Sequence, residues 1–482
     1  MKLSQLIFKN EAESYTASGE EIIERITNDP RDIDGSTLLY LPDLSKLELL
    51  PEYRKPAAIL CPATESPNKQ IPTVTAKDHR QLIAFASARL TGYKNGGMRV
   101  VGITGTNGKT GTATFLKAAL EADGRRIGMI GTGIIESRGR RLSDRFYSMT
   151  TPDPWILFPA LAKMESDGCE AVIMEVSSHA LALNKVAPIN FDYAIFTNLS
   201  PEHLDFHKDM DEYFAAKERL FEKCKIAIVN RDDAYGRRLL NKRKAKSISA
   251  GVLWDGDVRA TMIENKGFDG LEYFCRGRDH TMTVRIKTPG LHNVYNSLLA
   301  LSAATDMGVA PRIARTGVGE LDGVGGRFEI IKYEITVIID YAHTAKALET
   351  LLQEIRSLGS GGSLHTVFGC GGQRDKQKRP EMARVAERYS DRVTVTSDNP
   401  RGEAPEAIIN DILCGFSSLE PRVIQNRTEA IKDAIINAQM GDLIALVGKG
   451  AERYNIDSNG YSDFDEREIV FHALRERQKN ED

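Results

Sequence analysis

Residues 99–112, RVVGITGTNGKTGT, gather more chemistry-bearing residue types than any other stretch of the chain. A β-branched run (Val100, Val101, Ile103) breaks into Gly105-Thr106-Asn107-Gly108, followed by Lys109, Thr110 and Gly111. A helix-compatible run from Thr112 to Ala122 comes next. Strand, glycine loop, Lys-Thr and helix is an arrangement that binds a nucleoside triphosphate, here ATP. Glycines let backbone N–H groups approach phosphates, the helix N-terminus favours anions, and lysine adds a mobile positive charge. The Thr110 hydroxyl suits a magnesium ion. The spacing departs from G-x-x-x-x-G-K-[ST], because Ile103 stands five before Gly108, so a glycine-rich turn without phosphate is the alternative.

Two more segments, MEVSSHALALNK (174–185) and TNLSPEHLDFH (197–207), each follow an apolar strand candidate. Glu175 falls at a strand's C-terminal end, where open α/β sheets place their ligands. With His203 leaving a neighbouring strand at the same edge, carboxylate and imidazole could ligate magnesium together with Thr110. For His203 the alternative is a satisfied structural histidine. Lys217, in EYFAAKERLF, reads from composition and periodicity as a solvated helix lysine.

Positioning such groups takes alternating strands and helices, and the chain supplies them. Residues 1–97 form a small α/β domain with recurrent prolines, closed by a helical pattern from His79 to Leu90 and a Gly/Asn-rich boundary. Residues 98–326 read as a doubly wound parallel sheet with strands at 99–104, 126–131, 170–177, 192–197 and 225–230, and an antiparallel excursion over 250–290. Residues 327–482 read as a Rossmann-like α/β domain with strands at 335–340, 364–369, 392–396 and 442–447. Its helices fall at 345–357, 379–389, 405–415 and 427–439, the first link is punctuated by Gly359, Gly361 and Gly362, and the tail from Arg475 reads as a frayed helix end.

Composition narrows the class. The 482 residues carry a net charge of −3, with 41% hydrophobic and 27% charged residues, and the basic patch at 242–246 is short. A nucleic-acid surface is not expected. Six scattered cysteines without a C-x-x-C pair fit a reduced, cytoplasmic protein rather than a disulfide framework or zinc site. Acidic residues near the N-terminus argue against a signal peptide, and no apolar run is long enough to span a membrane.

The motifs GITGTNGKT, MEVSSHAL, TNLSPEHLDFH, EYFAAKERLF, GLHNVYN, GRFE, IDYAHT, GCGGQRD, SDNPRGEAP and VGKGAE occur in this order. Together, over residues 98 to 455, they resemble the Mur ligase family, specifically its E-type members, the UDP-N-acetylmuramoyl-tripeptide synthetases. The resemblance implies an ATP-dependent, ADP-forming amide ligase of cell-wall peptide synthesis. Such an enzyme activates a carboxylate of a UDP-linked peptide precursor as an acyl phosphate and joins it to a diamino acid, meso-diaminopimelate or lysine. It implies Lys109 at the γ-phosphate, Thr110, Glu175 and His203 at magnesium, and Lys217 as a carbamylated lysine holding a second magnesium. His292, Asn293 and Asn296 match the adenine-side motif, and Arg327 and Asp340 the further ATP contacts, with Asp340 suited to ribose hydroxyls. Asp398-Asn399-Pro400-Arg401 resembles the signature of ligases that add meso-diaminopimelate, since arginine grips a second carboxylate bidentately. Arg374, Glu452 and Gly448 match further amino-acid contacts, and Thr150, Thr151 and Ser177 are retained on the precursor side.

Other positions depart from the pattern. Lys185 stands where an arginine commonly contacts the precursor, keeping the charge without the fork. Asp29-Pro30-Arg31 replaces D-S-R, a downstream glycine- and histidine-containing stretch is missing, and Pro201-Glu202, Ala345, Ala404 and Ala451 are off the norm. These departures leave open a relative of the methanogen ligases that build pseudomurein peptides from another UDP-linked precursor. A P-loop NTPase without ligase activity, and a non-catalytic binding protein, are the readings from other classes. The enzyme is expected to act as a monomer.

Overall fold

In the computed structural model, residues 1–50, 54–64, 71–142, 149–243, 245–359 and 362–481 are described. Gly361 and Lys244 of the basic patch lie outside them. The chain divides into two compact units. The first comprises Met1–Arg259, Arg276–His280 and Tyr295–Gly317, the second Ala260–Cys275, Thr281–Val294 and Val318–Asp482.

The first unit holds two sheets. The smaller runs in the order 14–15, 73–76, 58–62, 37–40, 25–27, parallel except for its antiparallel edge at 14–15. The helix His79–Thr91, which ends on left-handed Gly92, packs between this sheet and the helix Pro154–Ser166. The larger sheet is built on Arg99–Thr104, whose last five residues are buried. Its neighbours on one side are Ala171–Glu175 and then Ile127–Gly131; on the other lie Phe191–Phe196, Cys224–Asn230 and Ser247–Gly251, all parallel. Short apolar strands of this kind are covered on both faces, and three of them are buried throughout or nearly so. From the Arg99–Thr104 strand the chain first builds to one side and then to the other, so the crevice at its carboxyl end is a topological switch point. Antiparallel strands Ile134–Ser137 and Arg140–Arg141 finish one edge. In the 250–290 region three strands form, Val258–Asn265, Leu271–Arg276 and Thr281–Ile286, the first pairing in parallel with Ala250 and Gly251.

The second unit carries a six-stranded sheet in the order 329–332, 336–340, 443–447, 364–368, 392–395, 422–423, antiparallel only in its first pair. The helices Ala345–Ser357, Lys378–Tyr389 and Pro405–Leu413 bury Leu348, Leu352, Met382, Ala386 and Ile412 on one face. Arg427–Ile436 and Glu466–Glu481 cover the other with Ile431, Ile435, Val470 and Leu474. This is the doubly wound α/β architecture expected. The C-terminal tail differs from expectation. Its helix continues to Glu481, and Arg477 donates from Nη1 to the carbonyls of Ile435 (3.2 Å) and Ile436 (3.1 Å), the open C-terminal end of the preceding helix. A cation there satisfies orphan carbonyls and opposes the helix dipole.

Candidate active site

The first half of the site grows from the carboxyl end of Arg99–Thr104. The helix that follows begins at Lys109, three residues earlier than its apolar pattern suggests. Gly108 sits at φ 82°, and a Cβ there would come within 2.5 Å of Asn296 Oδ1. Only glycine fits both demands. The loop is gripped from the next strand's end. Thr106 N donates to the Asn198 carbonyl (2.8 Å), Asn107 N to Asn198 Oδ1 (3.0 Å), and Thr197 Oγ1 to the Asn107 carbonyl (2.6 Å).

Two lysines converge on this loop. Lys109 Nζ donates to the carbonyls of Gly105 (3.0 Å) and Thr106 (2.8 Å), and Lys217 Nζ reaches the same Gly105 carbonyl at 2.9 Å. Lys217 is only 2% exposed and lies over the Tyr213 ring, 4.7 Å from its centroid. The expectation of a solvated lysine is therefore overturned. Burial first, and the like charge of Lys109 second, hold the Lys217 ammonium well below the ordinary lysine range, with Glu202 opposing. The signal was in the sequence. Tyr213, Phe214, Lys217, Leu220 and Phe221 share one helical face, and a lysine in the middle of an apolar stripe is a buried lysine.

Glu175, 1% exposed at its strand's end, accepts from Thr110 Oγ1 at 2.9 Å and from Thr132 N at 3.3 Å. Thr132 Oγ1 is 3.0 Å from Thr150 Oγ1, which continues a line of hydroxyls from the loop towards Thr150. Thr151 Oγ1 donates to the Glu175 carbonyl (2.9 Å) and accepts from Ser177 N (3.0 Å), while Ser177 Oγ caps the next short helix. Lys185 pairs with Asp153 at 2.7 Å. Hard oxygens from Thr110 and Glu175, side by side at the loop, are the donor set a magnesium ion takes when phosphate and water complete its shell. His203 stands apart from that pair. Left-handed at φ 57° and 44% exposed in its side chain, it contacts Glu202, His179 and Tyr213. Among the described residues no three His, Cys, Asp or Glu side chains form a metal cage.

Asn296 braces the loop itself, accepting from Thr112 Oγ1 at 3.3 Å. In the second unit, Asn293 donates to the Pro289 carbonyl (2.7 Å), and His292 lies 3.8 Å from Glu354. Arg327 covers the Tyr341 ring at 4.4 Å. Asp340 accepts from the backbone of Phe328 and Ala342, both at 2.7 Å.

The rest of the second unit's candidates cluster where three parallel strands end. Asn399 is the hub. Its Oδ1 accepts from Lys449 Nζ (2.8 Å) and Ile456 N (3.0 Å), and its Nδ2 donates to Glu452 Oε2 (2.8 Å). Lys449, fully buried, also donates to the Tyr454 carbonyl (2.8 Å) and lies 3.7 Å from Asp398. Burial and the nearby Asp398 carboxylate push the Glu452 carboxyl up. Gly448 turns at φ 119° beside Asp398. Arg401 donates from Nη1 to the Gly372 carbonyl (3.0 Å), and a Cβ on Gly371 would lie 2.9 Å from Arg401 Nη1 and 3.9 Å from Cγ of the exposed Arg374. Sequence reasoning did not single out Lys449, Thr132, Asn198 or Tyr213. For Lys449 no periodic signal exists, because it leaves a strand into a turn.

Comparison with known proteins shows the family. Residues 103–304 match the Mur ligase middle domain and residues 326–450 the Mur ligase, glutamate ligase domain. The chain belongs to the Mur ligase family. Among relatives, UDP-N-acetylmuramoyl-L-alanyl-D-glutamate--2,6-diaminopimelate ligase of Syntrophomonas wolfei is 38% identical over 416 residues, 84% of each chain. The Clostridium tetani ligase of the same name is 34% identical over 488 residues, 99% of this chain and all of that one. A solved structure of a ligase with this name superposes with a TM-score of 0.66 at 26% identity, covering 99% of both chains. A pseudomurein peptide ligase type C from Methanothermus fervidus shares the fold, with a TM-score of 0.55 at 19% identity over 85% of this chain and 86% of that one. Mur ligases use ATP. Among the described residues, no helix is long and apolar enough to cross a membrane.

Proposed function

We propose that the chain is an ATP-dependent, ADP-forming ligase that joins meso-diaminopimelate to UDP-N-acetylmuramoyl-L-alanyl-D-glutamate in cell-wall peptide synthesis, acting in the cytoplasm as a monomer. Its three domains are residues 1–97 for the precursor, 98–326 for ATP and 327–482 for the amino acid. The observation that carries the reading is the meeting of Lys109 and Lys217 on the Gly105 carbonyl, beside the Thr110–Glu175 pair.

Phosphoryl transfer asks for positioning and charge neutralisation rather than a protein nucleophile. The loop N–H groups and Lys109 hold the terminal phosphates, while Thr150, Thr151, Ser177 and Lys185 orient the precursor, whose carboxylate attacks the γ-phosphorus and releases ADP. Thr110, Glu175 and His203 are the residues that would hold magnesium, which would supply further neutralisation of the phosphate charge. Lys217, buried and inclined to the neutral amine, is suited to take up carbon dioxide as an N-carboxylate. His292, Asn293 and Asn296 face adenine in this reading, and Arg327 and Asp340 the ribose and phosphates. The amine of the diamino acid then attacks the acyl phosphate and phosphate leaves. Arg374 and Arg401 grip its carboxylates, Glu452 its ammonium, and Asp398, Asn399 and Gly448 shape the pocket.

The test is ADP release with the UDP-linked dipeptide and a panel of diamino acids, with the product identified by mass. Turnover that needs meso-diaminopimelate and yields the tripeptide is expected. Steady ATP hydrolysis that ignores the amino acid would overturn the proposal.

A further inference from the structure

Arg379 lies on the helix Lys378–Tyr389 with none of its side chain exposed. Its guanidinium meets Glu403 in two parallel bonds, Nη1 to Oε1 and Nη2 to Oε2, both 2.8 Å. Nη1 also donates to Asp411 Oδ2 at 2.7 Å, and Nη2 to the Gly371 carbonyl at 3.4 Å. Glu403 in turn accepts from Gln373 N at 3.1 Å. One buried cation is thereby tied to the loop that carries Arg374, to the turn that carries Arg401, and to the helix Pro405–Leu413.

The two loops are pressed together. Gly372 N donates to the Asn399 carbonyl at 2.9 Å, and a Cβ on Gly372 would lie 1.9 Å from the Pro400 carbonyl oxygen. Gln373 and Arg401 are both held in the left-handed region, at φ 54° and 55°. That conformation costs a residue with a side chain, so surrounding contacts must impose it. The Arg379–Glu403 pair supplies such a contact to Gln373 through Glu403, and reaches Arg401 through their shared turn, where Glu403 N donates to the Pro400 carbonyl (3.0 Å) and Arg401 N to the Ile456 carbonyl (3.0 Å).

We propose that Arg379 and Glu403 form a buried clamp that sets the spacing of Arg374 and Arg401, and so governs recognition of the diamino acid's carboxylates without touching the substrate. The proposal rests on the amino-acid site described under Proposed function. Both are positioning residues. The geometry demands a fork, because only arginine can hold both Glu403 oxygens in fixed directions, whereas lysine offers one point charge.

Steady-state kinetics on the full chain with Arg379→Lys, Glu403→Gln and Arg401→Ala test it. Glu403→Gln and Arg379→Lys are expected to raise KM for meso-diaminopimelate about ten- to a hundredfold, and to leave KM for ATP and for the UDP-linked dipeptide within about twofold. The preference for meso-diaminopimelate over lysine narrows in parallel. Glu403→Gln combined with Arg401→Ala loses less than the sum of the two, because a displaced Arg401 has little left to contribute. A uniform rise of all three KM values, or full additivity, overturns the clamp. If Arg379→Lys does not fold, the near-isosteric Glu403→Gln carries the measurement alone. Arg401→Ala separates the two ideas. If it leaves KM for the amino acid unchanged, the site itself is misplaced; if it raises KM and Glu403→Gln does not, the clamp fails and the site stands.

Discussion

Replacing Lys217 by methionine is expected to abolish turnover while making the protein more stable. The ammonium is 2% exposed, and its hydrogen bond goes to the Gly105 carbonyl at 2.9 Å. Against that bond stand the lost hydration and the neighbouring Lys109, which together lower the lysine's proton affinity. A lowered folded-state pKa means the unfolded chain binds the proton more tightly, and each unit of lowering costs about 1.4 kcal/mol. That cost is full below the folded pKa and fades as pH rises towards the ordinary value of 10.5. Methionine keeps an unbranched stem and drops the charge. It forfeits one hydrogen bond but removes the larger cost of burying a group that the unfolded chain keeps protonated, for a net gain of about 1–3 kcal/mol at neutral pH. At about 2 °C per kcal/mol for a chain of this size, the midpoint rises by several degrees. Thermal unfolding in CO2-depleted buffer reads it, and the advantage of the variant must shrink as pH is raised from about 7 to about 9.5. Bicarbonate adds a second arm. The neutral amine attacks carbon dioxide, a C–N bond forms and the nitrogen proton passes to solvent. Ligand linkage then stabilises the wild type alone, by about 1.4 kcal/mol at ten times the dissociation constant. A variant less stable than wild type, with a gap indifferent to pH, would refute the reasoning. Equal stabilisation of both proteins by bicarbonate would refute the carbamate.

Three other expectations are open to direct measurement. Burial, with the Asp340 carboxylate beside it, pushes Glu354 up to about 7 from 4.5, so the folded state holds this proton more tightly. Stability therefore falls as pH rises from 4.5 to 7, by about 3 kcal/mol, and Glu354→Gln should flatten that fall in urea midpoints taken at about pH 5 and about pH 8. Thr110→Val removes one oxygen from the pair with Glu175, and is expected to raise the magnesium concentration for half-maximal activity about tenfold in a magnesium titration. Arg477→Ala uncaps the Arg427–Ile436 helix and should lower the urea-derived stability by about 1 kcal/mol with kcat unchanged.

Much of the second unit was readable because its elements obey local rules. The helix expected at 345–357 is the helix Ala345–Ser357, whose buried Leu348, Leu351, Leu352 and Ile355 mark its stripe and whose Thr344 accepts from Ala347 N as the N-cap. Strands such as Leu364–Phe368 and Leu443–Val447 are runs buried on both faces. What escaped is instructive in the same terms. The hairpin of Tyr454–Asp457 and Gly460–Asp463 alternates over only four residues, Tyr454-Asn455-Ile456-Asp457, too short a run to stand out, and is held by Lys449 and by Arg401 N donating to the Ile456 carbonyl. Lys217, a site candidate on resemblance alone, read as solvated from periodicity, and Arg379 was not singled out, because charge was taken as a sign of exposure. Both occupy the apolar face of their helices, and their placement on that face was the better guide. The antiparallel edge strand Glu329–Lys332 was missed because its Gly-rich approach hides a four-residue run.

The phosphate loop, Glu175 and the Asp398–Arg401 and Gly448–Glu452 turns all leave the carboxyl ends of parallel strands, and this divides each sheet into two edges with different obligations. The connections at the amino ends, such as Asp167–Glu170 before Ala171–Glu175 and Met440–Asp442 before Leu443–Val447, hold the strands in register and carry none of the chemistry. Loop length is cheap where only closure entropy is at stake. Affinity tags, fluorescent reporters and inserted domains therefore belong at Gly168 or Gly441, whose positive φ marks turns where an added Cβ would meet nothing closer than 3.4 Å. A chain cut and rejoined at such a turn keeps its loops, its lysines and its arginines at the opposite edge.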